Sequence, residues 1–311
     1  MTNNIAVIGE CMVELQRVEL QKSGQLYRQG FGGDTLNTAI YLARLIDKRD
    51  KISYVTGLGI DEFSNSMLQA WESEGIDTRL VYRLSDKLPG LYTIETAENG
   101  ERSFRYWRND SAARYWLQTV TENDLFQALK SYNWIYLSGI SLAILPDNLR
   151  EKLFTVLAEC KKCGCNIVFD NNYRAILWQN QTQAQTAYRR ILQLTTIAFL
   201  TFEDEVMLYG DQHEEQAIDR TLALGVAEIV IKRGAEACIV VTPNSREQLE
   251  PMKVERIIDT TAAGDSFSAG YLAKRLNGGS ILQAIKSGHQ IAGNVIQHKG
   301  AIIAKEDMPP L

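Results

Sequence analysis

The most informative stretch of the chain is a run of small residues that ends in a carboxylate. Residues 259–265 read Asp-Thr-Thr-Ala-Ala-Gly-Asp, and an apolar helical pattern begins at Phe267. Small side chains let backbone N–H groups approach a ligand, and the first turn of a helix attracts anions. Asp265 would lie in that turn, where a carboxylate is suited to take a proton from an attacking hydroxyl. Taken alone, the stretch fits an ordinary acidic helix start equally well.

Two arginines in aromatic surroundings are candidates for binding an anionic group of a small molecule. Arg108 follows Tyr106-Trp107, and Arg174 follows Asn172-Tyr173. The planar guanidinium matches a carboxylate with two parallel hydrogen bonds. Residues 170–174 follow directly on a predicted strand, at the sheet edge where doubly wound folds bind ligands. The competing interpretation of a lone surface arginine is a solvated charge.

Strands and helices alternate along most of the chain, which predicts an α/β fold with a mostly parallel sheet covered on both faces. The predicted strands are 5–8, 52–56, 134–137, 166–169, 198–200, 228–231 and 238–241. The predicted helices are 34–45, 64–74, 149–162, 184–194, 217–224, 262–275 and 281–298.

Two β-rich or polar segments break this alternation. The strand-like runs 91–96 and 101–108 flank Asn99-Gly100, which is the strongest short hairpin signal. The polar segment 16–30 separates the first strand from the first helix. We expect the two segments to form a lid outside the central sheet. A strict two-residue turn would place Tyr92 opposite Trp107, whereas a bulge would shift that pairing.

Composition narrows the class of protein. The 311 residues are 45% hydrophobic and carry 33 basic against 38 acidic side chains, a net charge of −5. These values exclude a disordered chain, a collagen and a coiled-coil rod. A mildly acidic chain without a long basic run is not expected to bind nucleic acid. There is neither a secretion signal nor an apolar run of membrane-spanning length, so we expect a cytoplasmic protein without a membrane partner.

Residues 259–272 resemble the carboxyl-terminal signature of the PfkB (ribokinase-like) family of carbohydrate kinases. Gly32-Gly33 before Asn37, Lys232-Arg233-Gly234 after a strand, and Lys299-Gly300-Ala301 resemble further motifs of that family. The resemblance therefore spans the chain. It implies a ribokinase-like three-layer α/β/α sandwich with a small β lid. It also implies one kinase domain over residues 1–311, with lid elements near 11–32 and 88–110.

Several segments are similar to those family members that phosphorylate the 6-hydroxyl of 2-keto-3-deoxygluconate, a sugar acid, with ATP. These segments are 9–12, 32–38, 88–92, 106–109, 169–174 and 258–272. The resemblance implies that Asp265 is the base and that the amides of Ala262, Ala263 and Gly264 hold the phosphoryl group. The substrate residues that it implies are Gly33, Asp34, Asn37, Tyr92, Tyr106, Arg108 and Arg174. The nucleotide residues that it implies are Asn172, Lys232, Gly234, Ala262 and Gly264.

A magnesium ion is the second cofactor that the resemblance implies. We expect Mg²⁺ to bridge phosphate oxygens and to be held largely through water. Glu205 matches the acid of the family's Asn-x-x-Glu magnesium motif, but Phe202 stands where the asparagine is expected.

Two residues keep alternative interpretations. Glu14 could bind the sugar, as an acid of ribokinases does, or be a plain carboxylate at a strand end. His289 could line the adenine pocket or only pack on its own helix.

Alternative functions remain open at this stage. One is a kinase for another sugar, such as fructose, and another is a nucleotide-binding regulator without catalysis. The regulator is disfavoured because a protein that only binds needs no base at Asp265. The Walker A pattern is absent, which excludes a P-loop kinase. Gly9 is followed by Glu10-Cys11-Met12, which excludes a Rossmann dehydrogenase.

We also expect a homodimer built by the lid. Trp107, Arg105 and Ile94 would leave bulky or apolar groups on the lid face that points away from the substrate. A second copy is the simplest cover for such a face, and members of the resembled family often pair through their lids.

Overall fold

The computed structural model describes residues 2–21, 24–96 and 102–309. The strands are β1 (Asn4–Ile8), β2 (Met12–Gln21), β3 (Gly24–Gly32), β4 (Lys51–Leu58), β5 (Val81–Arg83), β6 (Gly90–Thr96), β7 (Arg102–Trp107), β8 (Trp134–Ser138), β9 (Asn166–Asp170), β10 (Ile197–Thr201), β11 (Glu228–Lys232), β12 (Cys238–Thr242) and β13 (Ser245–Leu249).

The helices are α1 (Asp34–Leu45), α2 (Glu62–Ser73), α3 (Glu122–Leu129), α4 (Gly139–Ala143), α5 (Asp147–Lys162), α6 (Gln181–Leu192), α7 (Phe202–Tyr209), α8 (Glu214–Leu222), α9 (Ala263–Leu276) and α10 (Ile281–Val295). Short 3₁₀ turns cover Ala112–Arg114, Trp116–Gln118, Ala175–Leu177 and Lys305–Asp307. Among the described residues, every helix is too short or too polar to cross a membrane.

The central sheet has the strand order β13-β12-β11-β10-β9-β8-β1-β4-β5. Its strands are parallel except β12, which runs antiparallel to both β11 and β13. The prediction of a mostly parallel sheet is therefore confirmed. Parallel strands align their carboxyl ends at one edge, so the loops after β1, β9 and β11 open toward the same side.

Helices cover both faces of this sheet. Successive residues of β1 point to opposite faces: Ile5 and Val7 join one buried cluster, and Ala6 and Ile8 join the other. The first cluster contains residues of α1, α2, α9 and α10. The second contains residues of α3, α5, α6 and α8. The result is the predicted three-layer α/β/α sandwich.

A second, smaller sheet has the order β3-β2-β6-β7, with β2 parallel to β6 and the outer pairs antiparallel. Tyr92 pairs with Tyr106 in this lid sheet, so the register is one residue away from that of a strict two-residue turn. Asn99-Gly100 itself lies outside the described residues. Ile94 shares a face with Tyr92, whereas Arg105 and Trp107 lie on the other face, so grouping Ile94 with those two residues was wrong.

Candidate active site

Two cavities meet at the start of α9. The larger, the α9–α10 cavity, has a volume of about 720 Å³ and is lined by the loop after β11, by residues 250–257 and by both helices. The smaller, the lid cavity, has a volume of about 590 Å³ and lies between the lid sheet and the carboxyl ends of the central strands. Both are lined by Thr201, Lys232, Ala263 and Gly264. A ligand in one cavity can therefore reach a ligand in the other at this point.

The turn before α9 presents backbone amides to the junction of the cavities. Ala262 adopts a left-handed conformation with φ 60°, and α9 begins immediately after it. The Ala263 N–H donates to the Thr260 carbonyl at 3.2 Å, so it is not free, contrary to expectation. Within the described part of the chain, the amides of Ala262, Gly264 and Asp265 have no protein acceptor. Free amides at the start of a helix are suited to binding an anion.

The Asp265 carboxylate is buried at the same junction. Its Oδ2 accepts a hydrogen bond from Asn37 Nδ2 at 2.8 Å, and the other Asn37 atom, Oδ1, is buried without a partner. Burial, and secondly the charge of Asp34, raise the pKa of Asp265 to about 8. Such a pKa lies near the operating pH of most enzymes, which favours general-base catalysis.

Helix α1 carries Asp34 and Asn37 to this point because Gly33 lets it approach the first strand's loop. A Cβ at Gly33 would lie 2.1 Å from the Glu10 carbonyl oxygen, so only glycine fits. Burial raises the pKa of Asp34, and Asp34 Oδ2 accepts from Asn172 Nδ2 at 2.7 Å. Asn172, expected to bind the nucleotide, lines the lid cavity beside Asp34 and does not line the α9–α10 cavity.

Lys232, at the end of β11, places a cation in both cavities. Its Nζ lies 2.7 Å from Asp170 Oδ2, and Ser268 Oγ donates to the same oxygen at 2.9 Å. Asp170 was not among the predicted site residues, although it ends a buried strand at the ligand-binding edge of the sheet. Its position at the end of that strand was the feature of the sequence that could have identified Asp170 as a site residue.

The turn after β11 contains Gly234, whose φ of +58° favours glycine. Gly234 lines the α9–α10 cavity.

The two arginines of the lid cavity differ in what neutralises them. Arg108 is buried, pairs with the Glu10 carboxylate and keeps its Nε without a partner. Arg174 is half exposed; its Nη1 donates to the Tyr173 carbonyl at 2.7 Å and lies 3.4 Å from Asp204 Oδ1. Arg174 is therefore the more available cation for an incoming anion. Glu10 and Asp204 are cavity residues that the sequence reasoning missed.

Tyr92 and Tyr106 form one aromatic wall of the lid cavity. Their rings stack with centroids 5.6 Å apart. The Tyr92 hydroxyl donates to the Glu14 carboxylate, while burial and that carboxylate raise the pKa of Tyr92 far above its usual value. Glu14 does not line the lid cavity. It lies opposite Tyr92 on the neighbouring strand β2 and holds the Tyr92 hydroxyl by this hydrogen bond.

Comparison with known proteins assigns the family. Residues 2–308 match the sequence model described as "pfkB family carbohydrate kinase". The chain belongs to the pfkB family of carbohydrate kinases. A relative from Dickeya dadantii (strain 3937), named 2-dehydro-3-deoxygluconokinase, is 52% identical over 99% of each chain.

Solved structures share the fold of this chain. The fructokinase of Xylella fastidiosa with bound ATP superposes with a TM-score of 0.84 at 20% identity, covering 100% of this chain and 96% of its own. The fructokinase of Vibrio cholerae O395 with fructose, ADP and calcium gives 0.81 at 25% identity, covering 98% and 96%.

His289 lines the α9–α10 cavity and also packs against neighbouring residues. Its ring lies edge-on to Phe267, 5.2 Å between centroids, and its Nε2 is 3.0 Å from the Leu249 carbonyl oxygen. Burial lowers the pKa of His289, so the ring is neutral near pH 7. His289 therefore lines this cavity in addition to packing against Phe267 and Leu249.

Glu205, expected from the family's magnesium motif, lies away from both cavities. Its Oε1 accepts from Asn171 Nδ2 at 2.9 Å and its Oε2 from Arg220 Nη2 at 2.7 Å. Both oxygens are thus occupied, and the side chain is 2% exposed. Within the described ranges, the structure forms no group of three or more acidic, histidine or cysteine side chains able to hold a metal. A direct metal role for Glu205 does not fit this geometry.

Proposed function

We propose that the chain transfers a phosphoryl group from ATP to the 6-hydroxyl of 2-dehydro-3-deoxygluconate, the sugar acid also called 2-keto-3-deoxygluconate. The observation that carries this proposal is the position of Asp265, a buried carboxylate beside free amides where two cavities meet. The name of the 52% identical relative supports the choice of sugar acid.

ATP would occupy the α9–α10 cavity, with the adenine near His289 and the phosphates directed at the start of α9. The free amides of Ala262 and Gly264, together with Lys232, would stabilise the charge on the transferring phosphoryl group. Gly234 would let the backbone approach the nucleotide.

Asp265 would accept the proton of the attacking hydroxyl. Asn37 occupies Oδ2, which leaves Oδ1 for the substrate. The unpartnered Oδ1 of Asn37 and the carboxylate of Asp34 would bind sugar hydroxyls. The wall formed by Tyr92 and Tyr106 would exclude water from the reacting groups.

The carboxylate of the sugar acid would bind Arg174. Arg108 already shares its charge with Glu10, so it would contribute its buried, unpartnered Nε as a hydrogen-bond donor. A buried donor left without a partner costs binding free energy. This contact would therefore favour a substrate that offers an acceptor to Arg108 Nε over one that does not.

Mg²⁺ would be held by phosphate oxygens and water, because the described side chains form no cage for it. When bound, it would neutralise part of the charge on the phosphates.

The test is ATP turnover with 2-keto-3-deoxygluconate, gluconate, fructose and ribose, with Asp265→Asn as the control for contaminating kinases. We expect turnover to be strongest with 2-keto-3-deoxygluconate and weak with the neutral sugars. Equal or better turnover of fructose or ribose would favour the alternative, a pfkB-type kinase for a neutral sugar. Turnover of no substrate would favour a nucleotide-binding regulator.

Three wider expectations belong to the same proposal. The chain would act as one kinase domain over residues 1–311, in the cytoplasm, and as a homodimer through the lid sheet. The sequence motivates the first two, and the exposed lid face motivates the third.

A further inference from the structure

The first turn of α7 packs directly behind the segment that presents Asn172 and Arg174 to the lid cavity. Asp204 Oδ2 accepts the Tyr173 N–H at 3.0 Å, and Glu205 Oε1 accepts from Asn171. Two neighbouring acids of one helix thus hold two consecutive parts of the 170–174 segment. This arrangement gives the acids a role in placing the segment.

Asn171 is the centre of these contacts. It is fully buried; its Nδ2 donates to the Thr201 carbonyl at 3.0 Å and to Glu205, and its Oδ1 accepts the amides of Asn172 and Thr201 at 2.8 and 2.9 Å. Every hydrogen-bonding position of the side-chain amide is used. Asn172 follows with φ 25°, a conformation that needs support from its surroundings.

Glu205 is fixed from its other side by a partly buried cation. Arg220 Nη2 binds Glu205 Oε2, Arg220 Nη1 binds Asp211 Oδ1 at 2.8 Å, and the guanidinium carbon lies 3.7 Å from the Tyr209 ring centre. Glu205 is therefore a rigid bridge between α8 and Asn171. Its two carboxylate oxygens are held by these hydrogen bonds to Asn171 and Arg220, and Glu205 lines neither cavity.

We propose that Glu205 is a positioning residue for the sugar acid and not a metal ligand. Through Asn171 it fixes Asn172, which bonds to Asp34, and the direction in which Arg174 leaves the segment. This inference rests on the proposed function, because it concerns binding of that substrate.

Glu205→Gln tests the bridge. Asn171 and Arg220 both donate to Glu205, whereas a glutamine amide offers one acceptor and one donor, so one of the two contacts must be lost. Asn171→Ala is the second variant, because it removes the bridge while leaving the Glu205 carboxylate present. Asp219→Asn is the matched control, because it also removes one negative charge, from an exposed side chain on α8.

Two constants are measured for each variant. Calorimetric titration with 2-keto-3-deoxygluconate in EDTA gives sugar-acid affinity without metal, and turnover at varied free Mg²⁺ gives the half-activating metal concentration. We expect Glu205→Gln and Asn171→Ala each to weaken metal-free binding about tenfold, the low end of the range for one charged hydrogen bond. The half-activating Mg²⁺ concentration should stay within about twofold, and Asp219→Asn should match the wild type in both.

A tenfold rise in the Mg²⁺ requirement of Glu205→Gln, or unchanged sugar-acid binding in Asn171→Ala, would overturn the proposal. Thermal unfolding of each variant identifies a general loss of fold, and Asn171→Ala keeps the test decisive if Glu205→Gln does not fold. Failure of the proposed function would appear in the wild-type protein itself, as absent turnover of the sugar acid.

Discussion

Asp265 is the residue on which catalysis should depend most. Asp265→Asn keeps the shape and the contact with Asn37 but cannot accept a proton. Because general-base catalysis contributes roughly 10²- to 10⁴-fold, kcat should fall within that range. Sugar-acid affinity should change less. Steady-state kinetics and calorimetry measure the two effects, and a variant that keeps more than about a tenth of kcat would assign the base elsewhere.

The raised pKa of Asp265 also predicts how stability depends on pH. The carboxyl has a pKa of about 8 in the folded protein, against an ordinary value of 3.8 in the unfolded chain. Between these two pH values the unfolded chain is ionised while the folded protein keeps its proton, so the free energy of unfolding falls as the pH rises. Asparagine removes this cost. Asp265→Asn should therefore unfold at a higher temperature than the wild type at pH 8, and the difference should vanish near pH 4. Scanning calorimetry at both pH values checks it; an equal difference at both would contradict the raised pKa.

Arg174 should determine affinity for the carboxylate of the substrate. Arg174→Met keeps the length of the side chain and removes the donors. Loss of a charged hydrogen bond costs about 1.5–3 kcal/mol, so KM for the sugar acid should rise roughly 10- to 150-fold. ATP affinity should be unchanged. Loss of ATP binding instead, measured by calorimetry, would show that Arg174 binds phosphate.

At the scale of elements, the contact between α1 and the loop after β1 places Asp34 and Asn37. Gly33→Ala would put a Cβ against the backbone of Glu10, and overpacking of this kind costs about 1–3 kcal/mol. We expect a lower free energy of unfolding and weaker sugar binding, because α1 must move. The control is Gly30→Ala in β3, where a Cβ would meet its nearest atom at an ordinary 3.6 Å. Urea unfolding compares them, and equal stability of the two variants would contradict the argument.

The elements that the sequence predicted well are those with strong local patterns. Helix α1 has the predicted bounds, and β9 and β11 end within one residue of expectation, since buried parallel strands are continuous apolar runs. Strand β13 was missed because Ser245–Leu249 is a polar, exposed edge strand without such a pattern.

The parts of the site that could not be predicted depend on contacts between distant residues. The direction of the Glu205 side chain is decided by Arg220 and Asn171, which no motif around Glu205 encodes. In the same way, the pairing of Tyr92 with Tyr106 depends on the connection between β6 and β7 and not on the strands themselves.

At the scale of the whole molecule, the lid sheet leaves apolar surface on the side away from the lid cavity. Trp107 is 59% exposed there, and with Leu88 and Phe63 it lines a groove of about 540 Å³. Strands β3 and β7 are the edges of this sheet in the described part of the chain. Edges and apolar faces of small sheets are normally covered, and a second copy provides a cover by two-fold symmetry.

We therefore expect a homodimer, with twice the 35.0 kDa of one chain, in light scattering at micromolar concentration. Trp107→Glu places a charge in the apolar face and should shift the protein to monomer, since burying an unpaired charge is strongly unfavourable. Leu282→Glu, a similar change of an exposed side chain on α10, is the control and should leave the dimer intact. A closed lid shields phosphoryl transfer from water, so the monomeric variant should also lose activity. A fully active monomer of the wild-type chain would show that the lid face is covered within its own chain.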